Sequence, residues 1–179
     1  MLEPIKTYFL TLRTRHALEQ NALVRTMPAY ARAKSIGILF SSHYEGADAK
    51  AINHLFRRFR DEGKNVRALT HFPGERSNPF DFKFDFFSDK DLTLMGHLKS
   101  DAVEMFVNTE FDFLYCIFDQ PFLPFEYILA QSKARFRVGI YQPDRTLSYE
   151  LMINPVAGQS LDGVLNEMLT LTKRISESV

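Results

Sequence analysis

Ser35-Ile-Gly-Ile-Leu-Phe-Ser41 is an apolar, strand-like run, and it leads directly into Ser42-His-Tyr-Glu45 and an amphipathic stretch. The same rhythm returns three times. Asn65-Val-Arg-Ala-Leu-Thr-His71 follows the first amphipathic stretch, and Phe111-Asp-Phe-Leu-Tyr-Cys-Ile-Phe118 and Arg135-Phe-Arg-Val-Gly-Ile-Tyr141 come later. Strands that alternate with helices imply βαβ units and a mainly parallel sheet. The expected fold is therefore a single three-layer, Rossmann-like α/β domain over residues 1–179. It has a five- or six-stranded sheet with helices on both faces. Such sheets hold ligands beyond the C-terminal ends of their strands, so the run at 35–41 also says where to look for a site.

Working outward, Ser42-His-Tyr-Glu45 matches the [ST]-x-x-[DE] capping box. A helix is expected from about Gly46 to Glu62, with Ile52, Leu55, Phe56 and Phe59 buried and Gly63 as its stop. Upstream, residues 4–32 read as a helical segment broken near Pro28. Its stripe is Ile5, Phe9, Leu12, His16 and Leu23, expected to pack on the sheet or on a partner.

Downstream, residues 73–81 carry Pro73, Gly74, Ser77, Asn78 and Pro79 and read as a loop. Phe80-Asp-Phe-Lys-Phe-Asp-Phe86 then alternates completely. It predicts an edge or antiparallel strand with its Phe row packed under a helix. Ser88-Asp-Lys-Asp91 is a second capping-box match, with helical segments expected over 91–109, interrupted near Gly96. The remaining expectations are a strand over 112–118, a helix over 124–133, strands over 136–141 and 147–154, and a last helix over 161–175. Gln142-Pro-Asp-Arg145 reads as a turn.

Composition narrows the function classes. Lys plus Arg and Asp plus Glu number 22 each, so the chain is neutral, which argues against a nucleic-acid binder. The charge is uneven. Residues 1–72 hold 12 basic and 6 acidic side chains, a balance of +6, and residues 73–179 hold 10 and 16, a balance of −6. That asymmetry fits a basic face for an anionic ligand or attraction between subunits of a homo-oligomer. No apolar run reaches the ~20 residues of a membrane span, and no secretory leader is evident, so a cytoplasmic protein is expected. Cys116 is alone and sits in an apolar run, which reads as a buried, inert thiol.

P-loop, dinucleotide, zincin and nucleophile-elbow signatures are missing, and the histidines are too dispersed for metal spacing. What remains is a candidate ligand site. Ser41, Ser42, His43 and Glu45 stand where the first strand meets its helix, whose N–H groups suit an anion. His43 offers an acid or base near neutrality. Asp119 and Gln120 follow a second strand and are expected on the same sheet edge. The leading expectation is a non-catalytic or degenerate small-anion-binding module. An enzyme and a subunit-interaction protein are the alternatives.

Three resemblances bear on this. Leu12-Arg13, Arg15, Tyr30-Ala-Arg-Ala-Lys-Ser-Ile36, Glu45 and Gly63-Lys-Asn-Val66 resemble the opening of 5-formyltetrahydrofolate cyclo-ligases over residues 1–72. That resemblance implies a folate- or nucleotide-using ligase or transferase, with Glu45 orienting substrate and Arg13 or Arg15 holding phosphate. The Gly-rich loop of that family has only a one-glycine counterpart here, Arg137-Val-Gly-Ile-Tyr-Gln-Pro-Asp-Arg145. Phe111-Asp-Phe-Leu-Tyr115 with Ser132-Lys-Ala-Arg-Phe-Arg-Val-Gly139 resembles half of a lipopolysaccharide heptosyltransferase, which implies one of the two domains needed to enclose a nucleotide sugar. The chain as a whole resembles short bacterial α/β proteins.

Overall fold

The structure is a computed structural model and describes residues 3–21, 25–72, 83–143 and 148–177. Six strands form one sheet: β1 (Ser35–Ser41), β2 (Asn65–His71), β3 (Asp85–Phe87), β4 (Phe113–Ile117), β5 (Arg137–Ile140) and β6 (Leu151–Ile153). Their spatial order is β3-β2-β1-β4-β5-β6, and every neighbouring pair is parallel. Five α-helices are described: α1 (Glu3–Gln20), α2 (Gly46–Asp61), α3 (Asp101–Asn108), α4 (Leu123–Gln131) and α5 (Leu161–Ser176).

Side-chain alternation along the central strands builds two cores. Ile36, Ile38 and Phe40 of β1 and Tyr115 of β4 face α2 and α5, against Ile52, Phe59, Met168 and Leu169. Leu39, Leu69, Leu114 and Cys116 face α3 and α4, against Val103, Phe106, Ile128 and Leu129. Successive strand residues point to opposite faces, so a strand apolar at every position needs a helical layer on both sides. All five inner residues of β1 and all of β4 are buried accordingly.

Cys116 lies in the second core, and burial raises its thiol well above the ordinary range. The thiolate is the reactive form. A thiol reagent at pH 8 is therefore expected to leave the folded protein unmodified and to titrate one thiol per chain in denaturant. Modification of the folded protein at the denatured rate would contradict this burial.

Three expectations are corrected. The N-terminal stripe lies on the wrong face. Leu10 and Thr14 are buried where α1 packs on α4, whereas Ile5, Leu12 and His16 are exposed; Leu23 is outside the described residues. The helix packs on another helix and not on the sheet, so the face it buries is set by α4. Next, of the two alternatives for the Phe-rich strand, the edge position holds and the antiparallel one does not: β3 ends the sheet and pairs with β2 in parallel. Residues 80–82 lie outside the described residues. Of the remainder, Phe86 is exposed and Phe84 half-buried, while the buried ring is that of Phe87, which lies outside the alternating row and reaches the α3–α4 core. Finally, residues 92–98 form a turn closed by a Leu92–Leu98 bridge, so only 101–108 of the expected 91–109 is α-helical. Gly96 in that turn has φ +68°, which breaks a helix. The capping box at Ser88–Asp91 does form, on a short 3-10 turn.

Candidate functional site

In this strand order the chain winds one way from β1 to β2 and the other way from β4 to β5. The direction reverses between β1 and β4, where the loops leaving the two strands diverge into opposite layers. Ligands of doubly wound sheets sit in the crevice this opens. One wall here is Ser42–Glu45, leading into α2. The other is 118–122, leading into α4.

The first wall is tightly held. Ser42 was expected to cap α2. Instead, its hydroxyl donates to the main-chain carbonyl of His71, 2.6 Å away at the end of β2. Glu45 is itself the N-cap residue and makes no side-chain capping bond. The capping box fails because Ser41 registers with His71 across β1 and β2, which brings a carbonyl closer to the Ser42 hydroxyl than the helix N–H groups. The first amides of α2, those of Gly46 and Ala47, are left without intrahelical partners, as at any helix start. Gly46 has φ +57°, which favours glycine where the loop turns into the helix. Ser41 Oγ is hydrogen-bonded to His43 Nδ1, and the exposed His43 ring packs on Tyr44.

Tyr44 links the two walls. It is buried, and its phenol is raised first by burial and then by the carboxylates of Asp119 and Asp48. β1 and β4 pair in parallel up to Phe40 and Ile117, so the loops that carry Ser42–Glu45 and Asp119 leave the same end of the sheet side by side. Asp119 and Gln120 are exposed, and neither caps α4, whose N-cap residue is Phe122. The sheet thus brings Ser41–Glu45 together with Asp119 and Gln120. It does not bring Arg13 and Arg15 there. Both lie on α1, in the α3–α4 layer, where the Arg13 guanidinium bonds His97 and the carbonyl of Met95. Asp144 and Arg145 are outside the described residues.

Two residues had no strong sequence signal. His71 ends β2 beside the crevice. Its Nε2 lies 2.8 Å from Asp89 Oδ1, and its ring packs on Phe87 and Phe122. The adjacent strands put His71 and His43 near each other in register, but each ring is engaged with its own neighbours. Gln142, read as part of a turn, is buried. Its Nε2 donates to the Phe118 carbonyl at 3.3 Å, and its Oε1 has no partner. A polar residue directly after an apolar strand and before a proline was the available clue.

The side chains in and beside the crevice are rich in acceptors: Glu45, Asp48, Asp119 and Gln142. Among the described residues no group of three or more His, Cys, Asp or Glu could hold a metal ion. A separate groove of about 640 Å³ runs between α1, α3 and the end of α4, past Asn21, Glu104, Val107 and Lys133. No described helix is long and apolar enough to cross a membrane.

These features define an α/β protein with a parallel sheet and a strand-end crevice. The chain belongs to a family of unknown function, DUF6913, whose match covers residues 6–175. No curated protein and no solved structure matches it, so the cyclo-ligase and heptosyltransferase resemblances gain no support.

Proposed function

We propose that the chain is a binding module for a small polar ligand with one anionic group, held in the crevice between β1 and β4. The carrying observation is the strand-order reversal that faces the free N-terminus of α2 toward the Asp119 loop. Helix N–H groups favour an anionic or strongly accepting group. Glu45, Asp48 and Asp119 accept hydrogen bonds from hydroxyl or amino groups and disfavour a multiply charged anion. The ligand class is thus a singly charged acid or ester that carries hydroxyl or amino donors.

The same geometry favours binding over catalysis. A Ser–His pair needs a third group that orients the base. Ser41 and His43 form only a local contact two residues apart on an exposed loop. Ser42 is engaged with the main chain and His71 with Asp89. A ligase of the kind first considered needs Arg13 and Glu45 on one ligand, and these residues start from opposite helical layers.

A thermal-shift series of hydroxy acids, amino acids, simple phosphates and nucleosides tests the reading. A ligand at about 100 times its Kd stabilises by roughly 2.7 kcal/mol, which is on the order of 5–10 °C for a chain of this size. The expected result is a shift with a singly charged, donor-bearing compound that Asp119→Ala and Glu45→Ala abolish. No shift across the series, or one that both variants retain, would overturn the proposal.

A further inference from the structure

Gln142 is only 7% exposed, and one side of its amide has nothing to bond. Nε2 donates to the Phe118 carbonyl, while the enclosed Oε1 has no hydrogen-bond partner. Turning the amide over does not cure this, because Oε1 would then face the Phe118 carbonyl oxygen, acceptor against acceptor. An enclosed acceptor left without a donor costs more than an ordinary hydrogen bond gains, and such groups are rare enough in folded proteins that each asks for a cause. The sheet places this oxygen. Val138 and Ile140 lie in the core on the α2–α5 side. Side chains alternate along an extended chain, so Gln142, two residues on, starts from that same side. Its bond to Phe118 carries the amide across to the end of β4, next to Asp119. The neighbouring strand there is β1, about 4.8 Å away, whose loop leads to the first amides of α2. Oε1 thus borders the crevice on the side from which α2 starts.

We propose that Gln142 selects the ligand of the crevice: its Oε1 accepts a hydrogen bond from a hydroxyl carried close to the ligand's anionic group, which makes that ligand a hydroxy acid. This rests on the binding reading above and sharpens it. The amide oxygen is an acceptor only, so an oxo acid, with a carbonyl in place of the hydroxyl, sets acceptor against acceptor. Oε1 is also neutral and enclosed, and Asp119 beside it is exposed. An ammonium group there would lose its hydration against a single amide dipole, a far larger cost than enclosing a hydroxyl that is hydrogen-bonded. The ends of β1 and β4 are neighbours, so one small molecule reaches both the α2 amides and Oε1. The hydroxyl gains access by displacing Asp119 and Gln120, the exposed part of that wall.

Titration of the full chain with lactate, pyruvate and alanine, and with their four- and five-carbon homologues, tests it by thermal shift and by NMR of the side-chain amides. The wild type is expected to bind a hydroxy acid roughly tenfold or more tightly than the oxo and amino acids of the same skeleton, the scale for leaving an enclosed acceptor unpaired. Gln142→Met, similar in size but without the amide oxygen, is expected to lose that preference. The wild-type preference is read without any variant, so a misfolded Gln142→Met does not prevent the test. Equal affinities in the wild type, tighter binding of the oxo or amino acid, or a hydroxy-acid preference that Gln142→Met retains overturns the role of Gln142. If Asp119→Ala and Glu45→Ala still abolish binding in such a case, the crevice reading stands. Binding of none of the acids overturns the selection by Gln142 as well, while a shift with a phosphate or nucleoside would leave the crevice reading in place.

Discussion

Replacing Glu150 with Ala is expected to cost about 3–5 kcal/mol, the range for leaving a buried charge without its partner. Tm should fall by on the order of 10 °C, at about 2–4 °C per kcal/mol. Glu150 stands just before β6 and holds Arg137 of β5 through two contacts, 2.8 and 3.1 Å, while also accepting from the Arg137 main-chain N–H at 2.7 Å. Arg25 approaches the same carboxylate at 3.7 Å. The two arginine side chains are only 6% and 7% exposed. One carboxylate thus serves two buried cations. The excess positive charge is met by main-chain carbonyls: Arg137 reaches Leu129 in the last turn of α4, where the negative end of the helix dipole lies, and Arg25 reaches Ser132 and Ala134 at and just beyond the helix end. Without Glu150 they are too few for both guanidiniums, and arginine does not shed its proton to relieve the repulsion. Thermal unfolding followed by circular dichroism would check this. A loss under 1 kcal/mol would mean that the carbonyls alone hold the pair. Glu150→Gln keeps two hydrogen-bonding positions but removes the charge, and it should fall between wild type and Glu150→Ala.

Gly96→Ala is expected to destabilise the fold by about 2–4 kcal/mol and to loosen α1. Two costs add. The φ of +68° disfavours any residue with a Cβ, by roughly 1–2 kcal/mol. A Cβ at this position would also stand 2.5 Å from the main-chain nitrogen of Leu10 and 2.7 Å from the carbonyl carbon of Phe9. A helix main chain has no rotamer by which to move aside, so the turn or the helix must shift as a unit. Gly63 provides the comparison. It has a similar φ of +72° but open space where the Cβ would go, so Gly63→Ala should show only the conformational cost. Denaturant unfolding of both variants separates the terms. Equal losses would mean that the contact between Gly96 and α1 contributes nothing.

The two predictions lie on elements that the sequence disclosed unequally. Arg137 sits in a run read correctly as a strand, but nothing in Arg135-Phe-Arg-Val-Gly-Ile-Tyr141 says that Arg137 is buried and Arg135 exposed. That depends on Glu150, thirteen residues later. Gly96 was legible as an interruption, because a lone glycine among helix-formers marks one. Its close approach to α1 was not, since the partners are more than eighty residues apart. The stripe of α1 was misplaced for the same reason. With apolar residues on both sides of the helix, periodicity does not choose between them, and packing on α4 does. At the crevice, Ser41–Glu45 and Asp119–Gln120 were legible because both follow apolar strands. The clamp from Ser42 to His71 and the burial of Gln142 were not, because each requires the neighbouring strand.

By itself the sequence determined the class of fold. Alternation of strand and helix periods, continuous apolar runs at β1 and β4, and turn residues between them are local properties. They require a largely parallel sheet covered on both faces, with the connecting loops gathered at the strand ends. Tertiary structure alone decided the order β3-β2-β1-β4-β5-β6, and with it the location of the reversal, the partners of Arg25 and Arg137, and the face of α1 left outward. Strand order is a choice among pairings of similar local energy. It is made by which helices fill which layer, a property of the assembled core and of no single segment.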